Sequence, residues 1–278
     1  ATYPAVAEII HKYTGIATMG IKLFISAAQL LMPFFLGICV GTALDVLTLP
    51  LVCGIAIAVL GVLAVFAPMP KVEGVGKGES FLNNLKNAHF SIESVALILI
   101  GFTCTATFQL WLNCAQTFGK EIAGIPADSV AVMQTYYSAG SLVALFVTSI
   151  LTTKIKQVRF LVIYPIISLA MLALVYIVKS PMICYIGAFV IGYSAAGGVL
   201  QIATAVANDL FPKIKGTLTS LVMIASSLCN YTILTAASKM TASGVIVMNI
   251  AITAVGILLA LFVNAKYGVL LKNSEASK

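Results

Sequence analysis

Polar side chains set at helical spacing inside apolar runs are the groups in this chain that can do chemistry. In His11–Gln29, Thr18, Lys22, Ser26 and Gln29 follow at i, i+4, i+8 and i+11, so they share one helical face. Lys22 is the one cation placed inside a span. It can bind an anionic group or pair with a carboxylate, or it can snorkel to the near membrane surface on its long stem. A second stripe, Thr105, Gln109, Asn113 and Gln116, carries three amides on one face. Gln134, Ser138 and Ser141 form a third, with Tyr136 and Tyr137 beside them. Ser194, Gly197, Gln201, Thr204 and Asn208 form a fourth, and Thr219, Met223, Ser227 and Asn230 a fifth. Amides both donate and accept, so these faces suit a polar or zwitterionic solute; the competing role is hydrogen bonding between helices. The candidate substrate-binding residues are therefore Lys22, Gln29, Gln109, Asn113, Tyr136, Gln201 and Asn230.

Covalent and metal chemistry find no such support. There is no H-E-x-x-H, no G-x-S-x-G and no carboxylate pair within a span. The six cysteines lie in or at the ends of apolar segments, without C-x-x-C, and read as small buried hydrophobes. His11 and His89 sit in polar connections with no partner at ligand spacing. No cofactor is implied, and the chain is not read as an enzyme. Glu93, at the mouth of a span, is a candidate proton site, or simply a carboxylate favoured at a helix start.

The elements that carry these stripes are membrane spans. Sixty per cent of the residues are hydrophobic and 9% charged, against roughly 25% charged in soluble domains. Several runs exceed the ~18 apolar residues of a membrane helix. The expected spans are 15–39, 43–67, 91–117, 130–152, 160–178, 182–206, 217–238 and 244–265. The net charge of +7 is not a nucleic-acid signature, since no basic stripe interleaves with aromatics. It follows the positive-inside rule. One side holds Lys12, Lys71, Lys77, Lys86, Lys154, Lys156, Arg159, Lys213, Lys215, Lys266, Lys272 and Lys278; the other holds Lys120, Lys179 and Lys239. The first side is expected to be cytoplasmic, with both ends of the chain on it. Lys154, Lys156 and Arg159 read as topology determinants with a secondary gating role.

Two features suggest internal symmetry. The segment HKYTGIATMGIKLFISAAQ from His11 aligns with PKIKGTLTSLVMIASSLCN from Pro212, Gly15 on Gly216 and Gln29 on Asn230. A repeat at about 200 residues suggests two homologous halves. Spans 43–67, 160–178 and 244–265 are nearly featureless; the first follows one striped span and the other two follow two each. All-round apolar helices can face lipid while striped ones face a cavity.

These residues give the chain its resemblance to the major facilitator superfamily. The long MPKVEGVGKGES connection, the repeat, GYSAAGGVLQ and KGTLTSLVMIASSLCN carry it. LTTKIKQVR resembles a degenerate echo of the family's cytoplasmic signature, without its glycine and aspartate. The resemblance implies an all-α membrane protein whose eight spans correspond to the family's fifth to twelfth helices. Residues 1–67 would be the last two helices of the N-terminal half, 68–90 the cytoplasmic central linker, 91–266 the complete C-terminal half and 267–278 a cytoplasmic tail. The family's first four helices would have no counterpart, and the chain alone is expected not to transport. The implied function is secondary active transport of a small polar solute, anionic if Lys22 binds it, across the cytoplasmic membrane by alternating access, with a coupling ion such as H+ as a further partner. A channel-like or assembly protein is the alternative, and a membrane-embedded enzyme the weaker one.

Overall fold

The computed structural model describes residues 27–31, 48–66, 91–152, 154–211 and 215–275. The expected connection 68–90, most of the first span including Lys22, and both histidines lie outside the described residues. The chain divides into two compact units, Ala1–Lys77 and Gly78–Lys278. In the first, residues 27–31 are helical and α1 spans Thr48–Phe66. Leu51, Ile55, Ile57, Leu60 and Leu63 on α1 are all exposed, as an apolar helix in lipid would be.

The second unit is a helical bundle: α2 (Ile92–Glu121), α3 (Val132–Leu151), α4 (Gln157–Val178), α5 (Pro181–Ile191), a π-helical segment (Gly192–Ala196), α6 (Val199–Leu210), α7 (Lys215–Ala237) and α8 (Ala242–Glu275). Among the described residues there is no strand. Local sequence sets several of the ends. Ser91 caps α2 by accepting from the Ser94 amide, with Glu93 in the first turn and Lys120 in the last, matching the helix dipole. Pro181 opens α5, where its missing amide hydrogen costs nothing. Among the described residues, five elements are long and apolar enough to cross a membrane: α2, α4, α5 to α6 as one, α7 and α8.

Several boundaries differ from the sequence reading, among them the end of α2 at Glu121 rather than 117. Gly192–Ala196 is π-helical, and Gly198, at φ 102, makes a left-handed break before α6. The span 182–206 is thus two helices with a joint. α4 starts at Gln157 rather than at 160. α8 runs through Glu275, so most of the expected tail is helix.

In lipid the hydrophobic effect does not press helices together, so small residues and hydrogen bonds do. A core of Trp111, Phe118, Met133, Tyr137, Leu172 and Ile191 joins α2, α3, α4 and α5. Thr105 hydrogen-bonds Ser226 across α2 and α7 at 2.8 Å. Thr107 meets Thr253 of α8 at 2.8 Å, and Asn249 Nδ2 donates to the Thr107 carbonyl at 3.1 Å. Ser168 of α4 meets Ser194 in the π segment at 2.6 Å.

α4 ends on Lys179 in the left-handed region, φ 50, a conformation costing a non-glycine residue about 1–2 kcal/mol. A β-branched residue fits there worse still. Lys179→Val should therefore lower the melting temperature in detergent while Lys179→Gly is tolerated; equal melting of the two would show that this cap carries no strain.

Candidate functional site

The register between α2 and α7 is fixed by two contacts. A Cβ added to Gly101 would lie 2.6 Å from Val222. One turn on, Thr105 bonds Ser226. Both positions advance by four, so the helices run parallel. The same register brings Gln109 and Asn230 to one level, a further turn on. α6 joins them through Asn208, whose Oδ1 accepts from Thr219 Oγ1 at 2.8 Å. α6 and α7 run in opposite directions from that bond, so Gln201, two turns back along α6, returns to the level of Ser226. Gln109, Gln201 and Asn230 therefore share one layer of the unit, within about a helical turn in height.

Their surroundings differ. Gln201 is 7% exposed. Gln109 is half-buried and Asn113, the next turn out, is exposed; Asn113 Nδ2 donates to the Gln109 carbonyl at 2.8 Å and to its Oε1 at 3.1 Å. Asn230 is half-buried, but its Oδ1 is shielded from solvent and has no hydrogen-bond partner among the described residues. A buried acceptor in that state costs about 1–3 kcal/mol, unless a donor arrives. The layer can hydrogen-bond a polar solute.

The other sequence candidates are placed apart. Tyr136 is exposed on α3 and packs on Tyr185 of α5, ring centroids 5.6 Å apart. Tyr185 was not read from the sequence; nothing in its bland surroundings marked it. Gln29 is half-buried in the first unit, where it is described by itself. Lys154, Lys156 and Arg159 are exposed around the start of α4. Glu93 is engaged by Lys266 at 3.0 Å, so the start of α2 is tied to α8. In the fifth stripe the residue that packs on α2 is Ser226, and Ser227 is exposed. A small cavity of about 10 Å³ lies among Thr103, Thr107, Ser168, Ser194 and Thr253, room for about one water and far below a solute pocket. Among the described residues no cluster of His, Cys, Asp and Glu can hold a metal ion.

Comparison with known proteins adds the following. A family model described as Major Facilitator Superfamily matches residues 1–231. The chain is 31% identical to the uncharacterized MFS-type transporter YfkL of Bacillus subtilis, over 96% of this chain and 69% of that protein. It is 28% identical to the inner membrane transport proteins YdiN and YdiM of Escherichia coli, over 83% and 95% of this chain. It spans 55% and 67% of their lengths. Among solved structures, the Major Facilitator Superfamily transporter FucP in the outward conformation shares the fold with a TM-score of 0.54 at 12% identity, covering 74% of this chain and 51% of FucP.

Proposed function

The chain belongs to the Major Facilitator Superfamily, a family of membrane transporters and not of enzymes, and from that premise we propose that it serves secondary active transport of a small polar solute by alternating access. The observation that carries the reading within this chain is the unmatched Asn230 Oδ1, one turn beyond the Thr105–Ser226 bond and level with Gln109. A bound solute that donates a hydrogen bond would satisfy it. Gln109, Asn113 and Gln201 would supply the remaining donors and acceptors. Lys22 and Gln29 are the candidates of the first unit, and a cation such as Lys22 would favour an anionic solute. H+ is the candidate coupling ion. The charge bias supports a cytoplasmic position for Lys154, Lys156 and Arg159 and for both ends of the chain. The chain spans 69% of YfkL and 55% of YdiN, so the whole protein's activity is part of this proposal.

The test is a thermal-shift screen of the purified chain against organic acids, amino acids and sugars. A ligand at 100 times its dissociation constant stabilises the folded state by about 2.7 kcal/mol. At least one polar solute should raise the melting temperature in wild type and not in Gln109→Leu. If no solute does so, or if the shift survives that substitution, the layer is not the binding site.

A further inference from the structure

The small cavity among Thr103, Thr107, Ser168, Ser194 and Thr253 lies where α2, α4, the π segment and α8 meet. All five of these residues are buried. Four of them form two bonded pairs, Ser168–Ser194 at 2.6 Å and Thr107–Thr253 at 2.8 Å. Among the described residues no hydrogen bond joins one pair to the other.

Where the hydroxyl protons go decides what the cavity can hold. Thr103 donates to the Ile100 carbonyl at 3.2 Å. Ser194 donates to the Val190 carbonyl at 2.8 Å, so Ser168 donates to Ser194. Of Thr107 and Thr253, one donates to the other. The receiving hydroxyl then donates back into its own helix, to the carbonyl of Thr103 or of Asn249. Every proton is thereby committed, and each hydroxyl oxygen keeps at least one lone pair. These hydroxyls offer the cavity acceptors and no donors. The buried thiol of Cys104, a free cysteine that also lines the cavity, adds one weak donor.

A void of about 10 Å³ fits one water, which needs roughly two to four polar partners. A water here has them. It can donate one proton to each hydroxyl pair and accept from Cys104.

We propose that the cavity is the site of one buried water, which joins the Ser168–Ser194 pair to the Thr107–Thr253 pair. That water ties α4 and the π segment to α2 and α8 through bonds that the side chains do not make directly. The assignment does not rest on the solute layer, to which none of these residues belongs.

A double-mutant cycle on melting temperature in detergent tests it. Ser168→Ala and Thr253→Val each remove one anchor of the water, so the second substitution has less left to lose. The double variant should melt about 2 °C or more above the value expected from adding the two single losses. Ser168→Ala combined with Thr105→Val is the control. Thr105 bonds Ser226 on α7, away from the cavity, and this pair should be additive. A wild-type crystal structure that resolves ordered waters should show one within hydrogen-bond reach of both pairs. Exchange of sodium for choline in the buffer should leave the melting temperature unchanged. Additive losses for Ser168→Ala and Thr253→Val, an empty cavity in that structure, or stabilisation that depends on sodium would each overturn the assignment, the last in favour of a bound cation.

Discussion

Gly140→Ala and Gly192→Ala should each disrupt the packing of α3 on α5 and the π segment, and with it the fold of the second unit. A Cβ on Gly140 would fall on the carbonyl oxygen of Phe189, and one on Gly192 on the carbonyl oxygen of Tyr137. The two glycines thus face each other's helix reciprocally, backbone against backbone. Overpacking ordinarily costs about 1–3 kcal/mol, because a side chain on the other side can shift. Here the obstacle is a peptide carbonyl in a hydrogen-bonded helix, which cannot turn away without breaking its own ladder. The cost should exceed about 3 kcal/mol, a fall of roughly 10 °C in melting temperature. Gly54→Ala and Gly61→Ala are the controls: nothing lies within 4 Å of either added Cβ, and alanine gains about 1 kcal/mol in helix propensity. Melting and gel-filtration profiles of Gly140→Ala and Gly192→Ala that match these controls would show that the helices can separate at little cost.

The same glycines mark where sequence reading reaches and where it stops. That Gly192, Gly197 and Gly198 allow close helix approach is legible, because only a missing Cβ permits it. That the backbone there becomes π-helical is not. The hydrogen-bond register of α5 is decided by what Gly192 and Gly197 meet, the Tyr137 carbonyl and Ala144, and those partners lie about fifty residues away in sequence. Helices over 92–121, 132–151, 157–178 and 215–237 are visible because length, apolarity and stripe spacing are local properties. The end of α8 misled for a related reason: Lys266 marks where apolarity falls, whereas the helix continues to Glu275. A membrane boundary is not a helix boundary. For the site, residue types were legible and partners were not. Spacing of i+8 selects Ser227, but α2 presents Thr105 to its neighbour Ser226. Gln109 and Asn113 read alike until Asn113 is seen to bond back onto Gln109, leaving Asn230 as the amide of that layer with an unmatched buried acceptor, a state Gln157 Oε1 shares at the start of α4.

Asn230→Leu should stabilise the protein while weakening solute binding, and the opposite signs are the point. With no solute bound, Asn230 Oδ1 is buried without a hydrogen-bond partner among the described residues. Replacing the amide by a hydrocarbon of similar volume removes that desolvation cost, about 1–3 kcal/mol, and the melting temperature should rise. With solute bound, the same replacement deletes a hydrogen bond made only in the complex. Affinity for the solute identified by thermal shift should then fall about tenfold, the equivalent of ~1.4 kcal/mol. Asn249 provides the contrast. Its Nδ2 donates to the buried Thr107 carbonyl at 3.1 Å, a bond between helices on the side of α2 that faces α8, not the side that faces α7 and Asn230. Asn249→Leu should lose stability, by about 0.6 kcal/mol for the bond itself, and leave solute affinity unchanged. If Asn230→Leu instead behaves like Asn249→Leu, losing stability and keeping affinity, Asn230 holds helices together and the solute must be held elsewhere. Sites selected for function keep polar groups that a selection for stability alone would remove, so a gain in melting temperature bought by a loss of binding is the signature that separates a ligand amide from a packing one.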